Sequence, residues 1–194
     1  LDYSLFVSYL SSPDSDVSEA AQVLFMVGKE KSVDVLSQVL HSSADEKLIC
    51  SVVETLGQYR EEYVCSPLIS ALTSPFPSVR EVAAYALAVY RTPAVTEGLF
   101  SLLSDVTPVV HAALTALRHR SLDENRINLI LPLLMHEESA VRVAAVHVLD
   151  AHVPDSAADD ADSKVRRAVA ETTANVDVIK KLCRDSDSSV RMAA

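Results

Sequence analysis

The chain has 194 residues, 49% of them apolar but only 5% aromatic, with three Gly and no Trp. That length allows one or two domains with a sizeable core, and so few glycines argue against an all-β fold, whose tight turns need left-handed backbone. The net charge is −10, with 6 basic and 13 acidic residues up to residue 97 and 11 and 14 after it, so neither half offers the basic stripe that a nucleic-acid partner requires.

An acidic balance keeps a protein in solution and names no partner by itself. The longest uncharged apolar run, 82–90, is far short of the roughly 20 residues that cross a bilayer, and no signal peptide is visible, so no membrane association is expected. Cys50, Cys65 and Cys183 are odd in number and include no C-x-x-C pair. They read as reduced, mostly buried thiols of a cytoplasmic protein. The chain opens at Leu1 without Met and stops at Ala194 in mid-pattern, as a segment of a longer protein would.

In chain order, one element recurs. Val17, Leu48, Val79, Val109, Val141, Val165 and Val190 fall at spacings of 31, 31, 30, 32, 24 and 25. Four residues after the first six stand Ala21, Val52, Ala83, Ala113, Ala145 and Val169; eight after them stand Phe25, Leu56, Leu87, Leu117, Leu149 and Thr173. Positions 0, +4 and +8 form one stripe of a 3.6-period helix, which predicts a helix at each occurrence. A second apolar helix is predicted before each, carrying Phe6/Tyr9/Leu10, Leu36/Val39/Leu40, Leu68/Ile69/Leu72, Leu99/Leu102/Leu103, Ile130/Leu133/Leu134 and Ile179/Leu182/Cys183. Short polar segments join the two, supplying Ser, Thr, Asp and Pro to start helices. Ser78-x-x-Glu81 reads as a capping box, and Gly28 and Gly57 as left-handed caps at the ends of second helices. Pro67 fits a first turn, whereas Pro132 is expected to kink its helix. Neither helix of a pair buries its apolar face alone, so the pairs must stack.

The second helices of Ser78-Val-Arg-Glu-Val-Ala-Ala84, Ala140-Val-Arg-Val-Ala-Ala145, Val165-Arg-Arg-Ala-Val-Ala170 and Val190-Arg-Met-Ala-Ala194 resemble HEAT-like repeats, of the short bacterial variety shared with phycobilisome lyases. The resemblance implies an all-α fold: a right-handed α-α superhelix, or solenoid, of about seven short helical-hairpin repeats, the last incomplete. The period of about 40–47 residues usual for HEAT repeats is not met, and repeats one, two and four carry Ser18, Ile49 and Val110 in place of the Arg. Residues 1–152 give five repeats of about 31 residues; residues 153–194 give two of about 25 that continue the stack. Residues 162–194 resemble leucine-rich-variant repeats, in which a 3₁₀ turn replaces one helix. The truncated helix at 190–194 is expected to be frayed or covered.

No catalytic constellation is visible, so the expectation is a non-enzyme without cofactor or metal. His136-Glu137 is a single pair in an interhelical turn, where a di-iron site of HEAT type needs several. Asp159-Asp160-Ala161-Asp162 and Asp185-Ser186-Asp187 lack the Gly and distal Glu of a calcium loop and read as helix caps. His147 and His152 are five apart and do not share a helical face. The repeated Arg80, Arg142, Arg166 and Arg191 are read as partners of carboxylates in neighbouring turns, holding the repeats in register.

If 0, +4, +7 and +8 face the core, +2, +6 and +9 face away, and the resemblance implies that second helices line the concave surface. The residues there include Glu54, Glu81 and Tyr85, then His111, Arg118 and His147. The expected function is therefore a protein-interaction scaffold with a protein or peptide partner on that face, Tyr85 and Met26 serving as anchors. The alternative, implied by kinship alone, is a chromophore lyase or isomerase subunit.

Overall fold

The computed structural model of the protein describes residues 2–194. Seven of its helices start where a short polar side chain satisfies an unpaired N–H group of the first turn. Asp14, Asp45, Asp123, Asp162 and Asp187 each accept from a backbone N–H one to three residues into the helix that follows, and Thr92 and Asn175 do the same. The described residues contain no strand.

The chain falls into two units, Leu1–Leu102 and Leu103–Ala194. The first opens with a 3₁₀ segment, Tyr3–Ser11, followed by α1 (Ser15–Gly28), α2 (Glu30–Ser42), α3 (Glu46–Gln58), α4 (Cys65–Ala71), α5 (Pro77–Leu87) and α6 (Pro93–Phe100). The second helices α1, α3 and α5 pack side by side, α3 against both others. The second unit contains α7 (Thr107–Leu117), α8 (Glu124–Ile130), α9 (Ser139–Leu149), α10 (Ser163–Thr172), α11 (Val176–Leu182) and α12 (Ser188–Ala193). Here α9 packs on α7 and α10, and α10 on α12.

The 0/+4/+8 stripe is the core of both units. Phe25, Leu56, Leu87, Leu117 and Leu149 are fully buried, as are Val52, Ala83, Ala113 and Ala145. At position 0 the stripe opens at its start: Val79, Val109, Val141, Val165 and Val190 are buried, Leu48 is half-buried and Val17 is exposed. In the first repeat α1 packs against the Tyr3–Ser11 segment, which buries Leu10 but leaves Tyr9 exposed.

Several local expectations are corrected. No glycine has positive φ; the left-handed residues are Lys29, His119 and Asp150. Gly28 instead sits against the far end of the Tyr3 side chain, 2.5–2.7 Å from where a Cβ would lie, and Gly57 against the Cβ of Ala86 at 2.9 Å. The Ser78/Glu81 capping box does not form. Pro77 already takes the first helical position, Phe76 becomes the cap residue, and the Ser78 hydroxyl donates across to Glu46 Oε1. Pro132 ends its helix: α8 stops at Ile130 and a 3₁₀ segment, Leu131–Met135, takes over. Of the three thiols Cys65 is buried, Cys50 half-buried and Cys183 exposed. The 190–194 segment is helical through Ala193, with Val190 fully buried and Met192 exposed.

Two buried tyrosines fasten the first unit in a way the stripe did not signal. Tyr59 OH donates to the Phe25 carbonyl (2.5 Å), which also accepts from Ser32 Oγ (2.6 Å), and Tyr90 OH donates to the Tyr59 carbonyl (2.6 Å). Each follows a second helix and satisfies a carbonyl one repeat earlier, so a polar side chain enters the core without an orphaned partner.

Candidate functional site

In the first unit the outward stripe runs along α3 and α5. Glu54 is exposed, Glu81 half-buried, and Tyr85 keeps 41% of its surface exposed. Burial pushes the Tyr85 hydroxyl up, and Glu81 one turn away adds to it, so it is a neutral phenol throughout the physiological range. Cys50, two residues into the same stripe, has its thiol 3.6 Å from Ser78 Oγ. Burial raises its pKa, and Glu46, Glu54 and Glu81 raise it further against the opposing hydrogen bond. A thiol held protonated by burial, with its carboxylate neighbours adding to it, is a poor nucleophile and metal ligand. This stripe offers negative charge, an aromatic edge and a small soft side chain.

In the second unit α7 and α9 bring His111, Arg118 and His147 around one cleft of about 110 Å³, with Leu114 and Val143 among its apolar lining. His147 is half-buried; burial first, then the Arg118 charge, lowers its pKa below 6.5, although Glu171 and Asp150 oppose this. The imidazole is therefore neutral at pH 7, able to donate from one ring nitrogen and accept at the other. Thus the sequence-derived residues gather in two places: Glu54, Glu81 and Tyr85 on one unit, and His111, Arg118 and His147 on the other. Among the described residues no group of three or more His, Cys, Asp or Glu could hold a metal ion, and no helix is long and apolar enough to cross a membrane.

The repeated Arg has a different task, legible in its bonds. Arg142 Nε and Nη2 form a bidentate pair with Asp160 (2.8 and 2.9 Å), while Nη1 donates to the carbonyls of His136 and Glu137. Arg166 repeats this with Asp185 (2.7 and 2.9 Å) and the carbonyls of Asp160 and Ala161. Each guanidinium thereby closes its own interhelical turn and grips the next. The acidic runs divide the labour: Asp162 and Asp187 cap helices, whereas Asp160 and Asp185 accept Arg and the N–H two residues on. Arg166, then the Asp187 N–H, hold the Asp185 carboxyl well below the usual range. Burial pushes Asp160 up, but hydrogen bonds from Arg142 and the Asp162 N–H outweigh it.

A description of the family HEAT repeats matches residues 33–118. That stretch is similar to HEAT repeats. Solved structures extend the likeness beyond that stretch. An engineered protein aligns at TM-score 0.56 and 22% identity, covering 100% of this chain and 93% of that one. The complex of CpcE and CpcF of phycocyanin lyase from Nostoc aligns at 0.58 and 21%, covering 100% and 92%. A designed armadillo repeat protein in complex with the peptide (KR)4 aligns at 0.51 and 17%, covering 100% and 96%. At these identities the likeness establishes the all-α repeat fold. None of the curated proteins matches the chain.

Proposed function

We propose that this HEAT-repeat chain is a non-catalytic cytoplasmic scaffold that binds a protein or peptide partner on its second helices. The observation that carries the reading is Tyr85: a large aromatic ring left 41% exposed in a row whose inward neighbours are fully buried, beside Glu81 and on the same face as Glu54. An aromatic edge in an acidic stripe suits a basic, extended peptide, with the ring supplying contact area and the carboxylates orientation. The designed armadillo protein's peptide, (KR)4, is of that chemistry. On the second unit His111, Arg118 and His147 would take a polar or acidic part of a partner. Five repeats in residues 1–152 and two shorter ones in 153–194 supply the rows. The lyase-subunit alternative draws on fold likeness alone.

The test is affinity for fluorescein-labelled (KR)4 by anisotropy. The triple variant Glu54→Lys, Glu81→Lys, Tyr85→Ala should bind at least about tenfold more weakly, a loss of roughly 1.4 kcal/mol. Its melting curve should match that of the parent, because all three side chains point away from the core. Undiminished affinity would remove this face from consideration.

A further inference from the structure

The second unit contains a larger opening that the second-helix reading does not use. Ahead of α10 the first-helix position is only a five-residue 3₁₀ turn, Asp155–Asp159. Pro154 restricts the residue before it and lacks an N–H, and the segment offers only Ala157 and Ala158 as apolar side chains. The preceding first helix is consequently only partly covered. Leu72 and Leu103, aligned with Leu134, are buried, whereas Leu134 is half-buried and the adjoining Met135 is 87% exposed. The result is a cleft of about 740 Å³ lined by Leu131, Leu134, Met135, Pro154, Ala157 and Val165.

The charged groups that line it are paired, and the unbridged charges in the bordering segments are acidic. Arg142, at the cleft wall, is committed to Asp160 in a bidentate pair, and Lys181 is bonded to Asp159. Glu137 and Glu138 follow the lining residue His136 in the chain, and Asp155 lies between the lining residues Pro154 and Ser156; all three are exposed, and among the described residues no cation bridges them, Asp155 accepting from the Asn175 amide. An occupant must therefore bring apolar side chains for the floor and positive charge for the ends.

We propose that this cleft docks a basic amphipathic helix of a partner protein, lying where a full first helix would lie. Apolar residues at i, i+3 and i+4 fill the space over Leu134 and Ala157, with Lys or Arg flanking them toward Glu137, Glu138 and Asp155. The site lies on the first-helix side of the repeats and is separate from the second-helix stripe.

Two fluorescein-labelled peptides of about 14 residues, roughly 20 Å of helix, share one Leu/Ala face and differ in bearing Lys or Glu on the other. Anisotropy should show the Lys peptide binding at least about tenfold more tightly than the Glu peptide. Met135→Asp should abolish most of that binding, and because Met135 is exposed the variant should fold normally. The pair Glu137→Lys and Glu138→Lys should reverse the peptide preference. Tyr85→Ala should leave it unchanged, which separates this site from the stripe. Equal binding of both peptides, no binding of the Lys peptide, or insensitivity to Met135→Asp would each overturn the proposal. A concentration-dependent dimer in sedimentation that Met135→Asp abolishes would also overturn it, by assigning the cleft to a second copy of the chain.

Discussion

Arg166 and Arg167 are chain neighbours on α10, and replacing each by Met should have very different consequences. Arg166 and Asp185 keep only 15% and 9% of their side-chain surface exposed, joined by two bonds of 2.7 and 2.9 Å. Removing the guanidinium strands a mostly buried carboxylate that retains only the Asp187 N–H and a 3.5 Å contact from Ser186 Oγ. It also releases the Asp160 and Ala161 carbonyls. Breaking one side of a buried pair costs about 3–5 kcal/mol, and residual exposure with a Met of similar length brings this to about 2–4 kcal/mol. Arg167 pairs with Glu171 across one turn, with the two side chains 55% and 39% exposed, a geometry worth about 0.3–0.5 kcal/mol. Urea unfolding followed by circular dichroism gives both losses, and amide exchange on 139–194 shows whether the loss is confined to that stretch, as nearest-neighbour repeat energetics requires. A double-mutant cycle with Asp185→Asn isolates the pair. Equal losses for the two Arg variants, or a coupling near zero, would refute the view that these arginines hold successive turns together.

Two further outcomes follow from the same contacts. Leu87→Ala, which empties a fully buried site, should cost about 2–5 kcal/mol by urea unfolding, whereas Val89→Ala, 51% exposed, should lie within about 0.5 kcal/mol. Because Asp160 and Asp185 titrate below their ordinary values when folded, the stability they contribute is full above about pH 4 and is lost as pH falls through the folded values. Melting of the protein between pH 6 and 2 should show that loss, and Arg166→Met should flatten it.

How much of this was written in the sequence depends on the range of the interaction concerned. The 0/+4/+8 stripe recovers buried residues because a helix face repeats within eight positions, and every Leu placed at +8 is fully buried. Val17 escapes because burial at position 0 needs a neighbour on that side, and periodicity within one helix does not report neighbours. The Arg after Val was legible as a turn partner from its recurrence. The identity of its carboxylate was hidden by the last Asp of each acidic run, which caps the following helix, while Asp160 and Asp185, 18 and 19 residues downstream of their Arg, receive the guanidinium. The candidate site divides likewise. His111 and His147 face outward from α7 and α9 by helix geometry, and Arg118, the residue that follows α7, meets them at one cleft. The Leu134–Ala157 cleft arises from what repeat six lacks, and no motif marks a helix that a Pro and two Asp have reduced to a single turn. Its length had to be read against the first helices of the other repeats. That comparison also gives the physical reason for a docking cleft at this point of the chain: where one repeat omits a helix, its neighbours retain an apolar face that their own sequences still specify.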